Sequence, residues 1–298
     1  MNLIPELFYK LKSTKPPYPP YNLGLDMEDT FINFYFKNKS KFDKLNYNFL
    51  PINWTILFNE YGHLVNDLQQ ILINLPQDLK YFTLSQHDDA PYLRLPINTI
   101  NFSAGGNAKN TICIPLISGP LPYQNLIQKN IFCSFVGSIS QPTNWFGHIA
   151  KTVRMKMLDI LVSKPEYVLK PKYWSPEVTK NRADLFLDIT SRSIFTLCPR
   201  GYGATSFRLY EAMQLNSIPV YIYTDTPFLP YTDVINWGKL AVLVDYKNIE
   251  DLDDILKSID SKTIQSMLDY AKEIYPKYFT LDSIGPNVLN MLRSSCGG

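Results

Sequence analysis

The chain has 298 residues, 45% of them hydrophobic, and a formal net charge of +2. That length and apolar content suffice for a large core and two domains, and the near-balanced charge lacks the basic excess of a nucleic-acid binder. No run of about 18 apolar residues occurs and the opening MNLIPELFYKLKSTKPPYPP has no signal-peptide hydrophobic stretch, so a soluble, cytoplasmic chain without a transmembrane segment is expected.

Residues 1 to about 50 are rich in Pro, Tyr, Lys and Asn. Pro16 to Tyr21, PPYPPY, predicts an extended arm, and Asp29 to Lys37 a short helix. From Asn59 to Leu75, Leu64, Leu68, Ile71, Leu72 and Leu75 fall at helical spacing. Leu79 to Leu84 then reads as a strand running straight into Ser85-Gln86-His87-Asp88-Asp89-Ala90-Pro91. Open α/β folds place ligand groups at the carboxyl ends of strands, so His87, Asp88 and Asp89 are candidates for general-base chemistry. The competing reading is a polar turn with an aspartate as helix cap. A metal site from the same three is disfavoured, because adjacent side chains on an extended segment point to opposite faces. Thr99 to Ala104 and Thr111 to Ile114 are two further strands, parted by the turn Gly105-Gly106-Asn107. A boundary near residue 128 divides an amino-terminal domain, 1–128, from a carboxy-terminal one, 129–298.

In the second half Ile131 to Val136 is a strand ending in Gly137-Ser138, followed by a helix over about Gly147 to Val162 that carries Arg154 off its apolar side. Glu166 to Leu169 predicts a short strand, Lys170 to Ser175 a loop in which Lys172 and Tyr173 reach a ligand, and Thr179 to Ser191 a helix. Ile194 to Cys198, the turn Pro199-Arg200-Gly201-Tyr202-Gly203, a helical stretch and Ile218 to Ile222 then make a βαβ unit of a parallel sheet. Such a loop aims free backbone N–H groups and the positive end of a helix dipole at one spot, which suits a phosphate. Gly201 and Gly203 permit close approach or positive φ, Ser206 caps the helix or donates to an oxygen, and Arg200 and Arg208 add charge matched to a diphosphate. Glu211, three residues after Arg208 on the same face, would accept hydrogen bonds from ribose hydroxyls. Neither GxGxxG nor GxxxxGK[ST] is present, and the plain alternative is an ordinary βα turn with a surface ion pair. A long loop, Tyr223 to Lys239, leads to a last strand, Ala241 to Asp245, and helices at Asp251 to Ile259, Lys262 to Ile274 and Leu281 to Leu292. The acids Asp251 to Asp254 are explained by a helix start rather than a metal motif. Cys113, Cys133, Cys198 and Cys296 have no metal-ligand spacing and read as reduced thiols.

CPRGYGATSFRLYEAMQLNSIPVYI resembles the signature of the exostosin family, the inverting glycosyltransferases of family 47, whose pattern is C-P-x-G, then R-x-x-E/D-A, then I-P-V. Cys198, Pro199, Gly201, Arg208, Glu211, Ala212, Ile218, Pro219 and Val220 match it, and Asn216-Ser217 replaces the usual Gly-Cys. Phe135 to Gly137 is similar to the family's F-x-G loop, Arg154 to its helix arginine, and Pro227-Phe228 and Ile235-Asn236-Trp237 to its later elements. Ser138 stands where a basic residue is usual, and Asn110 where an acid is. The resemblance runs over about residues 80 to 260, most firmly from 194 to 237.

It implies a GT-B fold, two Rossmann-like domains with parallel sheets facing a cleft, of the soluble bacterial or large-virus type. It implies transfer of a sugar (xylose, galactose, glucuronic acid, N-acetylglucosamine or arabinose) from a UDP-sugar to a hydroxyl of a glycan acceptor. Asp88 is then the first choice of base and Asp89 the second, with His87 orienting. Donor binding falls to Gly137, Ser138, Arg154, Lys172, Tyr173, Pro199, Arg200, Gly201, Tyr202, Gly203, Thr205, Ser206, Arg208 and Glu211. Fixed positive charge would replace a divalent metal, and no cofactor is expected. Two other classes compete: a nucleotide-sugar-binding protein without catalysis, and a Rossmann oxidoreductase, which the missing GxGxxG disfavours.

Overall fold

A computed structural model gives the fold and describes residues 3–15, 27–122, 127–139, 143–173, 175 and 178–295; the proline-tyrosine arm at 16–21 and Cys296 lie outside them. The first half runs α1 (Met27–Lys37), α2 (Lys39–Phe42), β1 (Tyr47–Phe49), α3 (Trp54–Glu60), α4 (Val65–Ile73), β2 (Lys80–Ser85), β3 (Thr99–Ser103) and β4 (Ile112–Cys113). The second runs β5 (Ile131–Ser138), α5 (Trp145–Leu161), β6 (Tyr167–Lys172), α6 (Lys180–Arg192), β7 (Ser193–Pro199), α7 (Phe207–Gln214), β8 (Ile218–Tyr223), β9 (Val242–Asp245), α8 (Leu252–Lys257), α9 (Ser261–Tyr278) and α10 (Leu281–Ser294). Every strand pairing is parallel: one sheet has the order β1-β2-β3-β4, the other β6-β5-β7-β8-β9. This is the two-sheet α/β architecture that the resemblance implied. In the second sheet the order reverses between β5 and β7, and the crevice at such a switch point is where open parallel sheets bind ligands.

The strands are apolar runs because both faces of a parallel sheet are covered by helices. Phe135, Phe195, Val220 and Met157 lie in the core of the second half, and Trp54, Leu68, Leu72 and Tyr81 in one core of the first. A third core spans both halves, for α10 returns to α1 and joins Phe31 and Phe82 to Tyr210 and Ile284. Among the boundaries that differ from the sequence reading, two lie close to the site. The helix expected over Asn59 to Leu75 is split into α3 and α4 by a 3-10 turn at Gly62–Leu64. β6 continues through Lys172 instead of yielding to a loop at Lys170, because its partner β5 runs on to Ser138 and pairs it with Lys172. Among the described residues no helix is long and apolar enough to cross a membrane.

Candidate functional site

The carboxyl ends of the two sheets meet at a cavity of about 510 Å³. From the first half, His87 and Asp88 enter it; from the second come Gly137 and Ser138 at the end of β5, Lys172 at the end of β6, and Gly201 to Glu211 after β7. The loop that carries His87 and Asp88 is held by a buried carboxylate that no sequence pattern pointed to. Glu28 on α1 accepts the backbone N–H of Gln86 at 2.8 Å, and the N–H and hydroxyl of Thr55, each at 3.0 Å. Three hydrogen bonds converging on one carboxyl group fix a loop well.

The glycine turn after β7 closes on itself through Gly201 N–H to Thr205 O at 2.9 Å, and on the first half through Ala204 N–H to Gly105 O at 2.9 Å. Gly203 donates its N–H to Asp88, and any Cβ there would collide with the Asp88 carboxylate and with Gly105 O. The turn therefore needs glycine for close approach; positive φ is found at neither Gly201 nor Gly203. Ser206 caps α7, its hydroxyl accepting from Arg208 N–H at 3.4 Å.

Arg208 lies along the floor at the switch point. Its Nη2 donates to Val136 O at 2.7 Å, and the guanidinium sits 5.1 Å from the Phe135 ring centre and 5.9 Å from that of Phe186. Gly137 leaves it that space, since a Cβ there would fall on the guanidinium. Arg208 Nε and Thr205 Oγ1 are buried with no hydrogen-bond partner, the sort of unmet capacity a ligand fills. Lys172 is held below its usual range by burial and by Arg182 and Arg208. No ion pair joins Lys172, Arg182 or Arg208 to a carboxylate among the described residues. Three cations that repel one another at one end of a cavity describe an anion site. Arg154 lines the same end, buried, with Nε donating to Arg200 O at 3.2 Å and Nη1 to Ser138 O at 2.6 Å.

Glu211 is buried in the wall, its carboxyl pushed up to about 7 by burial against the opposing effects of Arg208 and Ser118. Asp88 is likewise pushed up to about 7, by burial and by Asp89, with Arg200 and the Gly203 N–H acting the other way. His87, its pKa lowered by burial, lies beside Phe58 at 5.5 Å between ring centres.

Four of the residues singled out from sequence lie elsewhere. Asp89 turns away from Asp88, as neighbours on extended backbone do, and accepts from Asn107 Nδ2 and Tyr202 OH, each at 2.8 Å. Arg200 points behind the glycine turn, donating from Nη1 to Thr224 Oγ1 at 2.7 Å, near enough to Asp88 to act on it but outside the cavity lining. Pro199 ends β7, paired with Ile222, and does not line the cavity. Tyr173 is 81% exposed, beyond the end of β6. Conversely, Arg182 and Phe186 of α6 line the cavity, although their helix reads as merely polar. A basic and an aromatic residue at i, i+4 were the available signal.

The Exostosin GT47 domain family matches residues 81–259. Among curated proteins, the chain is similar to the probable glycosyltransferase At3g07620 of Arabidopsis thaliana, 25% identical across 89% of this chain and 62% of that one. It is 30% identical to the probable beta-1,4-xylosyltransferase IRX10 of Arabidopsis thaliana, across 46% of this chain and 32% of that one. To the probable glucuronosyltransferase GUT1 of Oryza sativa subsp. japonica it is also 30% identical, across 47% and 32%. The chain thus spans less than two thirds of the length of these relatives. Of solved structures, one chain of the GtfA/B complex resembles it at a TM-score of 0.42 and 11% identity, over 79% of this chain and 61% of that one.

Proposed function

The chain belongs to the Exostosin GT47 domain family, and on that premise we propose that it is a glycosyltransferase moving a sugar from a UDP-sugar to a hydroxyl of a glycan acceptor, with inversion. The observation that carries the reading is the opposition within one cavity of a carboxylate of raised pKa, Asp88, and a group of cations without carboxylate partners, Lys172, Arg182 and Arg208. Asp88 takes the proton of the attacking hydroxyl. The bond from that oxygen to the anomeric carbon forms as the bond to the diphosphate oxygen breaks. The negative charge left on UDP is met by Arg208 and Lys172, by Arg182 and Arg154, and by the backbone N–H groups of the glycine turn, fixed charges and dipoles that need no reorganisation during reaction. Glu211, which loses its proton near neutrality, accepts from the ribose hydroxyls. Arg200 acts through Asp88, restraining the rise of its pKa.

The names of the relatives support a xylosyl or glucuronosyl group as first donors to try. The test is UDP release from UDP-xylose and UDP-glucuronic acid, with and without oligosaccharide acceptors. Acceptor-dependent release supports transfer. UDP binding without any release, across a broad acceptor panel, would favour a nucleotide-sugar-binding protein instead.

A further inference from the structure

A second cavity, about 540 Å³, adjoins the first and shares Tyr202 with it as a common wall. Its floor is polar and hydrogen-bonded. Asp89 accepts from Asn107 and from Tyr202 OH, each at 2.8 Å, and the Tyr202 oxygen in turn accepts from Asn144 Nδ2 at 2.7 Å. Each carboxylate oxygen has room for about two hydrogen bonds, so Asp89 retains acceptor capacity toward the cavity. The walls are aromatic and open: Trp145 is 72% exposed and Tyr92 is 59% exposed. Tyr92 stacks on Phe58 with ring centres 4.1 Å apart, its one ring contact among the described residues, and is otherwise largely exposed. Phe146 stands edge-on to Tyr202.

Two large exposed rings lining one cavity beside polar groups form a patch rather than scattered single residues, and such patches mark binding surfaces. A sugar ring supplies the complement: its C–H face is apolar and its rim carries hydroxyls. The cavity size falls in the range of about 300–1,000 Å³ usual for ligand sites. Lys109 and Asp89 give the lining one charge of each sign, which suits a neutral ligand. We infer that this second cavity is the acceptor subsite, holding a neutral oligosaccharide on Trp145 and Tyr92 with its hydroxyls on Asp89. The inference rests on the transferase reading for its geometry. Asp88 and Asp89 are consecutive and face the two cavities, so a glycan seated on one side sends its terminal hydroxyl past Tyr202 to the base on the other.

The test is calorimetric binding, to the full chain, of neutral tetrasaccharides (xylotetraose, cellotetraose, galactotetraose and chitotetraose) and separately of UDP. At least one tetrasaccharide should bind, with or without UDP present. Trp145→Ala should weaken it roughly fivefold to tenfold, the worth of one ring contact, while leaving UDP affinity within twofold and the unfolding midpoint unchanged. Trp145→Phe should restore most of the loss. Tetrasaccharide binding that ignores Trp145, or UDP binding with no tetrasaccharide binding at all, overturns the subsite and spares the transferase reading. Trp145-dependent tetrasaccharide binding without UDP binding upholds a glycan site in this cavity, but overturns the transferase reading and with it the site's role for an acceptor.

Discussion

Gly137→Ala tests what Arg208 contributes to the proposed diphosphate site, because the new methyl falls on the guanidinium. A Cβ at Gly137 would collide with Arg208 Nη2 and come within 3.0 Å of Cζ and 3.1 Å of the Phe135 ring. The yielding group is the end of a flexible side chain, so the fold adjusts and Arg208 leaves Val136 O and the face of Phe135. Stability should change by less than about 2 kcal/mol, since a helpful Gly-to-Ala change in a strand partly offsets the lost anchors. A displaced charge-assisted contact to phosphate is worth about 1.5–3 kcal/mol. At about 1.4 kcal/mol per decade, UDP affinity should fall roughly 10- to 100-fold. Calorimetry with UDP, repeated on Arg208→Ala and on the double variant, checks this. The double variant should bind no more weakly than Arg208→Ala, because both changes remove one contact. Unaltered UDP affinity in Gly137→Ala, or additive losses in the double variant, would refute the reasoning.

Asp88→Asn should lower acceptor-dependent UDP release by about 10²- to 10⁴-fold with UDP affinity kept, the usual weight of a general base; an equal loss in Asp89→Asn would move the base to the other cavity. Activity should rise with pH through about 7 as Asp88 gives up its proton, and a profile flat from pH 5 to 8 would contradict this. Stability should move the opposite way. Asp88 and Glu211 hold protons in the fold up to about 7 but release them near 3.8 and 4.5 when unfolded, so the fold binds more protons across that window and loses stability as pH rises through it. Urea midpoints should show that decline, weaker in Asp88→Asn. Gly285→Ala on α10 would drive a methyl into the Phe34 ring of α1 and should cost about 1–3 kcal/mol in urea unfolding, with UDP affinity intact.

Local pattern carried most of the fold and singled out several residues that line the cavity, Asp88 and Arg208 among them. The β7 turn, α7 and β8 were readable because alternating apolar runs, a glycine turn and a helical stripe fall in one continuous segment. Asp88 was readable as a polar residue at a strand's carboxyl end. What escaped was decided at a distance. Lys170, Pro171 and Lys172 look like loop because β6 is an edge strand, and only its pairing with β5 keeps them extended. The side to which Arg200 turns is set by Thr224, 24 positions away. Arg182 was marked in the sequence only by its i, i+4 spacing to Phe186, and the fold decides that it meets Lys172 and Arg208. The return of α10 to α1 depends on apolar faces that do not show which surface they will meet.

The seam between the glycine turn and the first half has a mechanical side. Ala204 N–H to Gly105 O, Gly203 N–H to Asp88, Asn107 Nδ2 to Tyr202 O at 3.3 Å and Tyr202 OH to Asp89 all cross from one sheet's loops to the other's. A separation of the halves along this line would have to sever all four at once, so Asp88 and the glycine turn travel together as one block. Their spacing is set before any substrate arrives, which is the condition under which orientation lowers a barrier most. On the proposed function, nucleotide and glycan would then enter by the open sides of the two cavities, on either side of Tyr202.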